Sequence, residues 1–151
     1  MKRFEFSLDR LLKMKRQHER MAELEQIRAV QAVDATEARV VALQEQLREM
    51  AERITSRLGQ ACSPGQWVSA YEMSERLGQA IAVAEKDVSV AEERLATAKQ
   101  ERMQVATEVE ALSSLRSRQH DQWRHDAAAA DQDKLDEIGL RNWMTAQHEV
   151  G

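Results

Sequence analysis

At 151 residues the chain has the length of one domain, but 32% charged residues, 4% aromatic residues and one proline describe long helices rather than a packed globular core. A composition of this kind leaves little dry interior for a small substrate. The net charge of −4 argues against nucleic-acid binding, and the basic residues are not interleaved with aromatics as in a stacking platform.

The charge is polarised along the chain. Lys2, Arg3, Arg10, Lys13, Lys15, Arg16 and Arg20 outweigh Glu5, Asp9 and Glu19 at the start. Near the end, Asp126, Asp131, Asp133, Asp136, Glu137 and Glu149 outweigh Lys134 and Arg141. Opposite signs imply either attraction between the ends or two different partner surfaces. Charged residues interrupt every apolar run before Met21, so no secretory core is expected there. No stretch approaches the roughly 20 apolar residues of a membrane-spanning helix, and a cytoplasmic setting is expected. Cys62 stands alone and cannot form an intrachain disulfide, in keeping with a reducing compartment.

Helix one is expected over residues 8–58. Ser7 is the candidate N-cap, Asp9 favours the positive end of the helix dipole, and Phe6 is placed to staple against Leu11. Its early apolar positions are Leu11, Met14, His18, Met21, Leu24 and Ile27. A heptad then follows through Ala29, Val33, Thr36, Val40, Leu43, Leu47, Met50 and Ile54. The change of phase near Ile27 predicts a stutter in the supercoil. Gly59 suits the position just past the helix end.

Residues 59–63 form the expected turn. Ser63, Pro64, Gly65 and Gln66 supply an N-cap, a proline at the first helical position and a capping-box glutamine at the third. Cys62 and Trp67 take the staple positions, which makes Cys62 structural. A connection of about five residues makes the flanking helices antiparallel neighbours.

Helix two is expected over residues 64–130. From Trp67 every seventh residue is Ser74, Ile81, Val88, Leu95, Arg102 and Val109. The interleaved track from Ala70 is Leu77, Ala84, Ala91, Ala98, Val105 and Leu112. This narrow stripe is that of a helix pairing with one partner along a seam. Arg102 is expected to snorkel past it. Pairing outward from the turn places Leu8 opposite about residue 115, where the apolar track fades into Arg116 and Gln119. Beyond lies an overhang of about 35 residues, roughly 50 Å if wholly helical. It carries Trp123, Leu135, Ile138, Leu140, Trp143 and Met144, with a tail helix over 131–148 that Gly139 breaks or bends. The fold class is therefore all-α: a long two-helix antiparallel coiled-coil hairpin with a C-terminal helical overhang, forming one domain over 1–151.

Trp123 and Trp143, large aromatics on an unpaired helix, mark either a partner surface or a tail that self-associates or folds back on Phe4 and Phe6. Arg10, Lys13, Arg16 and Arg20 form a candidate charged site or a solvated face. Catalysis has little support. No two of His18, His120, His125 and His148 have the i, i+4 spacing that presents a metal with two ligands. There is no phosphate-cradling glycine loop and no serine elbow. No cofactor is expected.

The opening Phe4-Glu5-Phe6-Ser7-Leu8-Asp9-Arg10-Leu11-Leu12-Lys13 resembles the F-x-F-x-L-x-x-L-L start of the flagellar FliJ family. Trp123 followed by Asp133-Lys134-Leu135-Asp136-Glu137 is similar to that family's tail. The resemblance covers essentially the whole chain. It implies a non-enzymatic stalk of the flagellar type III export apparatus, engaging the pore of the hexameric export ATPase, the membrane export gate protein and export chaperones. Phe4, Phe6, Arg10, Lys13, Arg16, Trp123, Leu135, Asp136, Glu137 and Trp143 become the candidate partner-binding residues. The alternatives are the stalk of a related injectisome and a self-associating coiled-coil spacer.

Overall fold

The computed structural model describes residues 3–151; Lys2, counted above in the basic end, lies outside them. Among the described residues there are two helices and no strand: α1, Asp9–Ser56, and α2, Pro64–Val150. They pack against one another in an all-α hairpin. The chain divides into two compact units, Arg20–Gln104 and Met1–Glu19 with Val105–Gly151.

In the unit Arg20–Gln104, the turn follows from its local chemistry. The Ser63 amide donates to Gln66 Oε1 at 3.2 Å, and the Gln66 amide donates to Ser63 Oγ at 3.4 Å. This reciprocal capping box satisfies two donors that the first helical turn leaves open. Helix α1 ends at Ser56, and Gly59 takes a left-handed φ of 91° that a side chain would strain. The expected α1 stripe lies inward: Ala29, Val33 and Met50 are buried, and Thr36, Val40, Leu43, Leu47 and Ile54 are half-buried. On α2, Ala84, Ala91 and Ala98 recur every seven residues and are 2%, 6% and 5% exposed. Their methyl groups let the two backbones approach closely. Trp67, at the head of its track, is 43% exposed, so packing of this seam begins in earnest at Ala70.

The seam contains no stutter. Met21, Leu24 and Ile27 are all more than half exposed, while Ala22 and Gln26 are half-buried, in phase with Ala29. The expected change of phase followed the apolar residues, whereas the helix keeps its three-four alternation and seats polar ones. Arg102 explains why this is tolerated. Its guanidinium crosses the seam to donate to Gln26 Oε1 at 3.1 Å and Glu23 Oε1 at 3.3 Å. The polar seam is therefore satisfied from both helices, and the pair specifies register.

In the unit Met1–Glu19 with Val105–Gly151, Leu12 is 1% exposed and Phe6 7% exposed. The Leu8 carbonyl accepts the first helical bond, from the Leu12 amide at 2.9 Å, so α1 starts one residue later than capping by Ser7 implies. Lys15 meets Glu108 at 2.5 Å, seven residues in from the expected Leu8–115 pairing on each helix. Met14 is 45% exposed, so here too the seam takes Lys15 rather than the apolar neighbour.

The tail departs from expectation. There is no separate helix over 131–148, because α2 continues through Gly139 to Val150. A helical glycine costs only about 1 kcal/mol relative to alanine. Pairs at i, i+4 support this stretch, with Gln132 donating to Asp136 at 2.9 Å and Arg141 donating to Glu137 at 3.1 Å. From Asp131 to Val150 every residue is exposed, so the tail does not fold back.

Candidate partner-binding surface

The site lies in the unit Met1–Glu19 with Val105–Gly151, where α1 begins beside α2. Residues 3–6 are not helical, and they extend the packing past the start of α1. The Phe4 ring meets His120 edge-on, with centroids 5.0 Å apart and planes at 83°, and lies 6.0 Å from Trp123. His120 and Trp123 are 5.8 Å apart on successive helical turns. Edge and offset arrangements of this kind suit aromatic quadrupoles and contribute about 0.5–1.5 kcal/mol beyond area burial. Folding back is thus performed by the opposite terminus from the one considered above: Phe4 comes to Trp123, and the tail stays extended.

Basic residues surround this aromatic cluster. Arg3, Arg10 and Arg116 line one open depression together with Phe4, Glu5, Phe6, Ser7 and Asp9. Arg16 and Arg116 line a second with Ser113, Ser117 and His120. The four arginines are exposed, and none forms an ion pair among the described residues. Asp9 is the carboxylate most affected. A hydrogen bond from Lys13, 2.9 Å away, holds its pKa below the usual value, helped by the charges of Lys13, Arg116 and Arg16 against some desolvation. Lys13 is thereby engaged with its own helix, although its side chain remains 74% exposed.

The structure brings together Phe4, Phe6, Arg10, Arg16 and Trp123 from the candidate set. It turns Lys13 to Asp9 on its own helix and leaves the other four apart on the tail. Leu135 and Trp143 are 62% and 58% exposed, and Asp136 and Glu137 hydrogen-bond within α2. Sequence reasoning missed Arg116 and His120, having read residue 116 only as the fading seam. The signal was present: Ser113, Ser117 and His120 follow i, i+4, i+7 spacing and share a helix face.

No group of three His, Cys, Asp or Glu able to hold a metal ion occurs among the described residues, and no described helix is long and apolar enough to cross a membrane. The surface thus combines an aromatic clasp with exposed guanidinium groups, and an exposed stretch of α2 lies beyond it in sequence. No curated protein and no solved structure matches the chain significantly. The family model described as "Flagellar FliJ protein" matches residues 4–148, which include the Phe4 clasp and nearly the whole tail. The chain belongs to the FliJ family and is a flagellar export-apparatus protein.

Proposed function

We propose that the chain is a non-enzymatic stalk and adaptor of the flagellar type III export apparatus. In this reading it stands in the cytoplasm beneath the membrane, held there by its partners, with its paired end in the central pore of the hexameric export ATPase. It also engages the membrane export gate protein and export chaperones. The observation that supports the reading best is the paired end itself, where Phe4 locks the first residues onto His120 and Trp123 amid exposed Arg3, Arg10, Arg16 and Arg116. Two strands of chain fastened side by side resist splaying. Their unpaired cations can form staggered contacts with acidic groups on six similar subunits, biasing nucleotide states by differential binding. The exposed Leu135, Ile138, Trp143 and Met144 give the tail apolar area for a further partner.

The test adds the purified chain to its cognate export ATPase and measures ring assembly and hydrolysis, both of which rise. No change in either overturns the proposal. Replacing Arg10, Lys13 and Arg16 by Glu weakens the association while helicity is retained; unaltered binding means that this face serves only for solvation. A compact dimer whose contacts bury Trp143 points instead to a self-associating spacer, and stimulation only by an injectisome ATPase points to the related secretion machine.

A further inference from the structure

We propose that Arg16 of α1 and Ser113, Arg116, Ser117 and His120 of α2 form a binding site for a phosphoryl group. These residues line one open depression, and no carboxylate lines it with them. Asp121 lies 4.0 Å from His120 Nδ1 but outside that lining. Asp9 feels the charge of both arginines from the neighbouring depression, but its hydrogen bond goes to Lys13 and neither arginine forms an ion pair with it, so both guanidinium forks keep donors for an anion.

The donors converge from two helices. Ser113, Ser117 and His120 share one face of α2, with Arg116 beside them. Arg16 faces them from α1, whose neighbouring Lys15 is fixed against Glu108 at 2.5 Å. His120 is held by its ring contacts with Phe4 and Trp123, which limit the directions its nitrogens can take. Two guanidiniums, two hydroxyls and an imidazole provide more donors than the two oxygens of a carboxylate can use, whereas a phosphoryl group presents three oxygens and up to two charges. The chemistry is shared by a soluble phosphate and a phosphomonoester lipid headgroup. The inference does not rest on the stalk reading, and its test uses the chain alone.

The full chain is titrated calorimetrically with pyrophosphate, and with acetate at equal ionic strength. Saturable binding is expected with about tenfold preference for pyrophosphate. Arg116→Gln should weaken it by about tenfold, with the far-ultraviolet circular dichroism unchanged. Arg16→Gln, on an exposed α1 face, gives an independent second variant. In parallel, phosphatidylcholine vesicles with and without phosphatidic acid are sedimented with the chain. Capture that needs phosphatidic acid and is lost in Arg116→Gln supports the site with a lipid source, and pyrophosphate binding alone supports a soluble one. The proposal is overturned if neither ligand binds, if both variants bind as the parent does, or if acetate or hexaglutamate competes as well as pyrophosphate.

Discussion

The two units of the hairpin hold their helices together by different means. Arg20–Gln104 repeats one solution, placing a small buried alanine every seventh residue on α2, with a single arginine reaching across to two polar acceptors. In the unit Met1–Glu19 with Val105–Gly151 the tracks continue through half-buried Val105, Val109 and Leu112 without a buried alanine, and buried Phe6 and Leu12, a cross-helix ion pair and an aromatic clasp are added to them. A regular seam spreads stability over many small contributions. Additions of this kind concentrate it in a few residues, leaving adjacent surface free for a partner.

Four experiments break or sharpen this contrast. The largest effect is expected at Leu12, whose truncation to Ala removes the most completely buried side chain and should cost about 2–5 kcal/mol in urea unfolding. A cost as small as that of a surface change would show that stability is not concentrated there. Next is Ala91→Leu in the alanine seam: pushing the backbones apart should cost about 1–3 kcal/mol, read as a lower melting midpoint. Phe4→Ala follows at about 0.5–1.5 kcal/mol for the lost ring contacts, with Trp123 becoming more accessible to a fluorescence quencher. If quenching is unchanged, Phe4 is not the clasp.

The smallest effect concerns Asp9. Its folded pKa lies below the ordinary 3.8, so the stability it contributes is present above the unfolded value and disappears as the pH falls through the lower folded one. The carboxylate is exposed, and solvent screening keeps this contribution minor. An NMR titration should place its midpoint below that of an ordinary aspartate, and Lys13→Gln should move it back upward. No movement would separate Asp9 from its helical partner.

Much of this was readable in residues whose physics is local or periodic. The Ser63 and Gln66 pair announces its own hydrogen bonds, Gly59 its left-handed backbone, and the Ala84, Ala91 and Ala98 repeat its close approach. Stretches governed by contacts distant in sequence were not. Lys15 and Gln26 sit on the seam because Glu108 and Arg102 await them some 75 or more residues along the chain, and a pattern scored on apolarity alone passes over both. It follows Met21, Leu24 and Ile27 outward instead, and so invents a stutter. Gly139 likewise suggested a break that a long helix with flanking side-chain pairs does not make. Of the candidate site, Phe4, Phe6 and Trp123 were legible as large aromatics in a chain nearly devoid of them. Their joining was not, since it depends on extended residues ahead of α1.

The clasp also sets a timetable for biosynthesis. Phe4 is incorporated more than a hundred residues before His120 and Trp123. At ~5–20 residues per second that is a wait of roughly 6–23 s. Through that interval the first residues have no mate, while the reversal at Ser63 can close as soon as its neighbours emerge. Zippering therefore begins at the bend and finishes at the clasp, whose Phe4 is made long before the two rings that hold it.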